Sequence, residues 1–421
     1  MTARYQKNRL PNGITAASIA MPGMESVSLG MWVKVGGRHE TPHKAGISHF
    51  LEHLLFKGTE KRSCMDLKQA IEGIGGSFNA FTGEEFTCYF VKVLGRKLSV
   101  GFDILSDMIL HASLKEEEVE KERMVILEEI KMEQDIPAHR VGEILNRLLW
   151  PSHPLGQELT GTPDTIRSLS RKDIVSYRDL YYHPRNLFIV ACGAVDHGEL
   201  LRQVRRHFAS VPGKMPSRFV RVKPHPPRMA THFIFKKTAQ SHLAIGLPAL
   251  RRNHPGQPAL SLLNVILGAN MSSRLFQELR ENRGLAYEIG SHLRRYQDAG
   301  VLVIGAGVDA RKTEESLRVV LQELDNLKKE RVAPEEFRRA REYYTGQLLF
   351  ALEDTTDHMV WLGESLVSLD RVTRPDDLLN KISRVRAEDL KQMARRVFER
   401  RSLKLAVIGP HSKKDQRRLR G

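Results

Sequence analysis

Apolar positions along the chain fall into two kinds of run. Runs of strand length stand at 26–36 (SVSLGMWVKVG), 187–193 (LFIVACG) and 403–409 (LKLAVIG), and read as buried strands. Longer runs of helical character stand at 47–58 (ISHFLEHLLFKG), 64–74, 96–111, 114–135, 171–182 and 197–209. Segment 77–93 (SFNAFTGEEFTCYFVKV) predicts two strands around Gly83-Glu84-Glu85, and 151–162 predicts a turn-rich loop. Residues 211–227 are rich in proline and basic side chains and read as a linker. The expected division is therefore a first domain of 1–212, a linker of 213–227 and a second domain of 228–421.

The second half repeats the first. SVSLG at 26–30 answers SHLAIG at 241–246, an offset of 215–216. LFIVACG at 187–193 answers LKLAVIG at 403–409, an offset of 216. Such a repeat predicts an α+β protein of two structurally similar α/β domains, each a mixed sheet flanked by helices. At 421 residues there is room for two domains with ample cores.

Composition narrows the class. Hydrophobic content of 41% and charged content of 28% fit a globular protein. The first residues, MTARYQKNRLPNGITAA, hold no apolar signal core, and no long apolar run follows. No membrane association is expected. Cys64, Cys88 and Cys192 are odd in number and widely spaced, which points to reduced core thiols and a bacterial-type cytoplasm. A formal net charge of +16 invites a nucleic-acid reading. No zinc-finger spacing, helix-turn-helix signature or aromatic-interleaved basic strand supports it, so no nucleic-acid partner is expected. A basic nucleic-acid-binding protein stays as a distant alternative.

Candidate chemistry centres on His49-Phe50-Leu51-Glu52-His53 within the 47–58 helix. Positions i and i+4 share a helix face, so His49 and His53 can grip one metal ion. Glu52 lies one step round, within reach of a water there. The ordinary alternative is a pair of satisfied core or surface histidines. The 216 offset carries His49, Glu52 and His53 onto Val265, Gly268 and Ala269, so one site per chain is expected. A catalytic metal usually needs a third protein ligand. The acidic helix 114–135 offers Glu122 and Glu129, seven apart and on one face. Val119, Met124, Val125, Ile126, Leu127 and Ile130 are expected to pack this helix into a core. A solvated acidic face accounts for Glu116, Glu117 and Glu118, and less well for Glu129.

HxxEH resembles the inverted zinc motif of the pitrilysin-like (M16, inverzincin) metallopeptidases. In that family a distal glutamate follows the second histidine by about 76 residues; here Glu129 follows His53 by 76 (129 − 53). Glu122 matches the family's acidic residue seven positions earlier. The resemblance covers essentially the whole chain. It lies in the branch of the mitochondrial processing peptidase β subunit and its bacterial relatives.

The resemblance implies a half-clamshell fold and a zinc endopeptidase acting on peptides or unfolded segments. It implies one Zn²⁺ per chain on His49, His53 and Glu129, Glu52 as general base, and Glu122 as an orienting residue. Segment Asn79-Ala80-Phe81-Thr82 matches the family's edge strand, onto which substrate backbone adds; without the resemblance it reads as an ordinary hairpin. Arg280 and Tyr287 match an arginine and tyrosine seven apart that bind substrate and steady the transition state. Their ordinary alternative is a basic helix–strand junction. The long glycine-rich loop of the noncatalytic processing-peptidase subunit has no counterpart beyond Gly268-Ala269-Asn270-Met271. The implied assembly is a homodimer with Arg280 and Tyr287 acting in trans, or a heterodimer with an inactive paralogue. A noncatalytic core subunit of the same family is the alternative function.

Overall fold

The computed structural model describes residues 4–215, 218–223 and 228–420; within the expected linker, positions 216, 217 and 224–227 lie outside the described residues. Six strands form the first sheet: β1 (Arg4–Arg9), β2 (Thr15–Ala20), β3 (Ser26–Val33), β4 (Ser77–Thr82), β5 (Thr87–Leu94) and β6 (Leu187–Gly193). Their spatial order is β1-β2-β6-β3-β5-β4. Five strands form the second: β7 (Ala230–Phe235), β8 (Gln240–Pro248), β9 (Ala286–Arg295), β10 (Gly300–Asp309) and β11 (Lys404–Gly409), in the order β7-β11-β8-β10-β9. Without β1, the two sheets have the same order. They also share the same senses, with one parallel pair (β2/β6 and β7/β11) and antiparallel pairs elsewhere. The repeated segments are β3 with β8 and β6 with β11, so the duplication read from the sequence is a duplication of topology.

The compact units do not follow the cut expected at 213–227. One unit comprises Met1–Lys131, Gln157–Val220 and Phe350–Thr373; the other comprises Met132–Gly156, Arg221–Leu349 and Arg374–Gly421. Each half of the chain thus lends one helix to the unit built on the other half's sheet. Helix Pro137–Leu149 packs through Val141, Ile144 and Leu145 against Ala244, Ala406 and Ile408 of the second sheet. Helix Thr355–Leu369 packs through Met359, Leu362 and Leu366 against Trp32, Phe86 and Phe188 of the first. The physical reason is that both sheet faces are apolar. Helices local to the first half cover one face, and Trp32 and its neighbours would otherwise face water. Two glycines let that helix come close. A Cβ on Gly363 would lie 2.1 Å from the Trp32 ring, and one on Gly30 would lie 2.4 Å from Met359 Sδ.

The charge divides with the units. Counted over the two units, the first holds 28 Lys/Arg and 28 Asp/Glu, and the second holds 38 and 22. The entire +16 (38 − 22) therefore belongs to the second unit. Among the described residues, no helix is long and apolar enough to cross a membrane.

Two expectations need correction. In helix Glu116–Asp135, Met124 and Val125 are exposed at 59% and 49%, while Glu122 and Arg123 are buried with Val119, Ile126, Leu127 and Ile130. Helix rotation puts 122, 126 and 130 on one inward line, so polar residues on that line go inside with the apolar ones. Cys88 and Cys192 are buried thiols, but Cys64 is only partly buried, because it opens the helix Cys64–Glu72 at the surface.

Helix Ile47–Leu55 carries the histidines, and its seating is set at its first turn. Gly46 precedes it in the left-handed region (φ 91°) and offers no side-chain cap. Glu40 does that work from outside the helix. Gly46 N–H donates to Glu40 Oε2 at 2.7 Å and Ser48 N–H to Oε1 at 2.8 Å, satisfying two N–H groups at the helix start. Burial pushes the Glu40 carboxyl up to about 7, against the pull of its hydrogen bonds with Ser48 and Gly46.

Two outcomes are expected. Gly363→Ala gains about 1 kcal/mol of helix propensity but drives a methyl into a buried indole, typically costing about 1–3 kcal/mol and more at so short a contact. The thermal midpoint should fall by several degrees; an unchanged or higher midpoint contradicts the close seating of Thr355–Leu369 on Trp32. For Glu40, the folded-state value near 7 exceeds the 4.5 of an ordinary glutamate, so the folded chain keeps a proton that the unfolded chain has released. Its contribution to stability therefore falls as pH rises from about 4.5 to about 7. Glu40→Gln has no such slope. The variant should melt below wild type at pH 5, where a buried acceptor is lost, and the gap should narrow by up to about 3 kcal/mol by pH 7.5. A gap constant across that range refutes the assignment.

Candidate metal centre

Helix Ile47–Leu55 is two-faced. Ile47, Phe50, Leu51, Leu54 and Leu55 are buried in the first core, leaving His49, Glu52 and His53 on the other side. Helix Glu116–Asp135 supplies the opposing wall. Its Val119, Ile126 and Ile130 enter the same core, which turns Glu122 and Glu129 toward the histidines.

The sequence-predicted trio converges. One ligand atom each from His49, His53 and Glu129 lies within 4.8 Å of the other two. His49 Nε2 is 3.9 Å from Glu129 Oε1, and His53 Nε2 is 3.7 Å from Glu129 Oε2. These spacings are a few tenths of an ångström wider than the roughly 3.3 Å edge of a tetrahedron with zinc-like bonds. Side-chain exposures of 12%, 24% and 30% leave the centre open on one side. Two imidazoles and one carboxylate are a donor set known from catalytic zinc sites.

Protonation fits the same use. Burial, and then the neighbouring His53, lower His49 to about 4, so its imidazole is neutral at pH 7. Burial also acts to lower His53, but the Glu122 hydrogen bond and the charges of Glu129 and Glu52 outweigh it and raise the ring's pKa. Burial works to raise Glu122, and its hydrogen bonds with His53 and Lys57 overcome that and lower it. The opposite shifts of His53 and Glu122 agree on an ion-paired contact, seen at 3.1 Å between His53 Nδ1 and Glu122 Oε2. Three carboxylates thus surround the histidine pair, an arrangement suited to a cation.

Glu52 does not point away from this group. Thr82 Oγ1 donates to Glu52 Oε2 at 2.5 Å. Burial raises the Glu52 carboxyl pKa, opposed by Thr82 and His53 and aided by Glu129. A carboxylate so placed is a stronger base than an exposed glutamate.

Asn79, Ala80, Phe81 and Thr82 lie in β4, the end strand of the first sheet, which among the described residues pairs only with β5. Ala80 and Thr82 share the face of the metal helix. Phe81 turns to the other face and packs edge-on against Trp32 at 5.5 Å, so its ring serves the core. Arg280 and Tyr287 belong to the second unit and lie together. The Arg280 guanidinium stands 5.5 Å from the Tyr287 ring centre and 4.9 Å from that of Phe276. Arg280 lies in a π-helical turn, Phe276–Asn282. Tyr287 sits where β9 slips register against β10, with Glu288 opposite Gly307 and Ala286 opposite Val308. It is 76% exposed. π-turns and bulges recur where side chains are re-aimed for function.

Sequence reasoning missed two residues. Glu40 was a polar position among glycines and histidines with no pattern to mark it. Lys57 stands four residues after His53, and its Nζ lies 2.5 Å from Glu122 Oε1. The i, i+4 spacing from His53 was the one available signal.

Comparison with known proteins agrees with this construction. Residues 15–163 match the family model described as insulinase (peptidase family M16), and residues 168–344 match the peptidase M16 inactive domain. An uncharacterized zinc protease of Streptomyces coelicolor is 36% identical over 98% of this chain and 91% of its own length. One of Bacillus subtilis is 34% identical over 95% and 97%. A protease from Helicobacter pylori has a solved structure that superposes with a TM-score of 0.93 at 25% identity, covering 97% of this chain and all of that one. A Pseudomonas fluorescens structure titled as a peptidase M16 inactive domain shares the fold, with a TM-score of 0.91 at 18% identity. With relatives more than 30% identical across nearly its whole length, and both family models matched in order, the chain belongs to the pitrilysin-like M16 peptidase family.

Proposed function

We propose that this protein is a zinc-dependent endopeptidase that hydrolyses peptides or unfolded segments. The observation that carries the reading is the convergence of His49 Nε2, His53 Nε2 and Glu129, with Glu52 beside them on the same helix. His49, His53 and Glu129 would hold one Zn²⁺ per chain, and zinc so held lowers the pKa of water and polarises a carbonyl. Thr82 holds Glu52 Oε2, leaving Oε1 to take the proton of the attacking water and pass it to the leaving amine. Glu122 keeps the His53 ring in register through Nδ1. The substrate extends along the outer edge of β4, bonded through backbone and so tolerant of side-chain identity. Asn79 and Ala80 would line that strand, Phe81 would support it from behind, and Thr82 would link it to Glu52.

In the same reading the active form is a homodimer in a bacterial-type cytoplasm. Arg280 and Tyr287 reach the partner's centre and place a guanidinium and a phenol O–H near the developing oxyanion. Their exposure and mutual contact support this. No nucleic acid or membrane partner is part of the proposal.

A pool of unstructured peptides followed by mass spectrometry tests the chemistry. Wild type should cut, lose activity with chelator and regain it with zinc. Glu52→Gln should keep zinc and lose at least about 100-fold in rate. Cutting by a contaminant-free Glu52→Gln sample refutes the base assignment, and a wild type that binds no zinc refutes the metal centre. Assembly is tested by mixing Glu52→Gln chains with Arg280→Ala chains, each inactive alone. Each mixed dimer holds one intact centre and should recover about half the activity of a wild-type dimer; no recovery rules out action in trans.

A further inference from the structure

Glu122 is a carboxylate only 6% exposed, and each of its oxygens has a different partner. Oε2 accepts from His53 Nδ1 at 3.1 Å, and Oε1 faces Lys57 Nζ at 2.5 Å. Lys57 follows the end of helix Ile47–Leu55, one turn beyond His53. Its side chain is 29% exposed, and its ammonium bends back toward Glu122 on the helix Glu116–Asp135.

We propose that Lys57 is a positioning residue for the metal centre: by fastening Glu122 Oε1 it fixes Oε2 on His53 Nδ1 and aims the His53 Nε2 lone pair at the site shared with His49 and Glu129. The inference rests on the metal-centre reading above. A histidine ligand depends on the hydrogen bond made by its other nitrogen, which sets both tautomer and ring orientation. Without Lys57, Oε1 loses its partner and the carboxylate can turn about its Cγ–Cδ bond. The His53 Nδ1–H then has no fixed acceptor, and the ring can swing or change tautomer.

Two simpler roles for Lys57 make different predictions. As a cation near a helix C-terminus it would affect stability alone. As a nearby positive charge it would repel a bound cation, so a neutral replacement would tighten zinc binding. The positioning role predicts weaker binding, and the sign separates them.

The test uses the full chain with zinc alone, in competition with a chelator at fixed pH. Lys57→Met should weaken zinc by about 10–100-fold, the range usual for outer-shell partners. Lys57→Arg, which keeps the donor, should recover most of that. In a Glu122→Gln background Lys57→Met should cost no more than about twofold, because its route to His53 is already cut. Thermal midpoints of the metal-free forms check folding, and Lys57→Gln replaces Lys57→Met in the same cycle if that variant does not fold. Unchanged or tighter zinc in the neutral variant overturns the inference, as does an equal loss with and without Glu122. If wild type itself holds no zinc, the metal-centre reading falls and takes this inference with it; tight wild-type binding with an unaffected Lys57→Met overturns this inference alone.

Discussion

The helix Ile47–Leu55 is pinned at both ends by buried carboxylates and along its length by the core. Glu40 holds the N–H groups of Gly46 and Ser48 at its start. Glu122 holds His53 in its last turn and Lys57 just beyond it. Ile47, Phe50, Leu51 and Leu54 fix its rotation. Nine residues make only two and a half turns, a helix too short to be stable alone. Its geometry is therefore imposed by these tertiary contacts. The spacing of His49 and His53 is local, but their aim at Glu129 is not.

The same carboxylates give the centre its electrostatic character. Glu52, Glu122 and Glu129 gather around two imidazoles in a partly buried site. They raise the affinity of His53 for a proton and would do the same for a metal cation. His49, more deeply buried, is kept neutral. The division is chemically useful. Burial keeps the His49 ring free of an extra proton, whereas the His53 ring has the Glu122 carboxylate on its far nitrogen.

Duplication and helix exchange explain the rest of the architecture. Each sheet has two apolar faces, and each half's own helices cover one. The remaining faces are closed by helices Thr355–Leu369 and Pro137–Leu149, taken from the opposite halves of the chain. The copies have diverged in chemistry. Val265, Gly268 and Ala269 stand where the offset would place the metal residues, and the second unit carries all of the chain's net charge. The basic composition that suggested a nucleic-acid partner is thus a property of one unit, and the unit with the candidate metal centre is balanced.

By itself the sequence determined the local features: strand and helix runs, the repeat, and the HxxEH turn with its distal glutamates. These depend on periodicity and on short-range geometry, where one residue's neighbours are also its neighbours in sequence. It also carried a sign that the sheets are covered on both faces, in the unbroken apolar run of β6. It held no sign of which helix does the covering, because that partner lies about 170 residues away and any amphipathic helix would satisfy the pattern. Met124 and Val125 look like core by composition, and Glu122 does not. The rotation of the helix against its neighbours reversed that order, since an outward apolar residue costs little and an inward carboxylate is tolerable once His53 and Lys57 pair with it. Tertiary structure alone decided the links of Glu40 to the helix start, Thr82 to Glu52 and Lys57 to Glu122. Each joins side chains or backbone groups by a hydrogen bond whose partners no periodicity brings together.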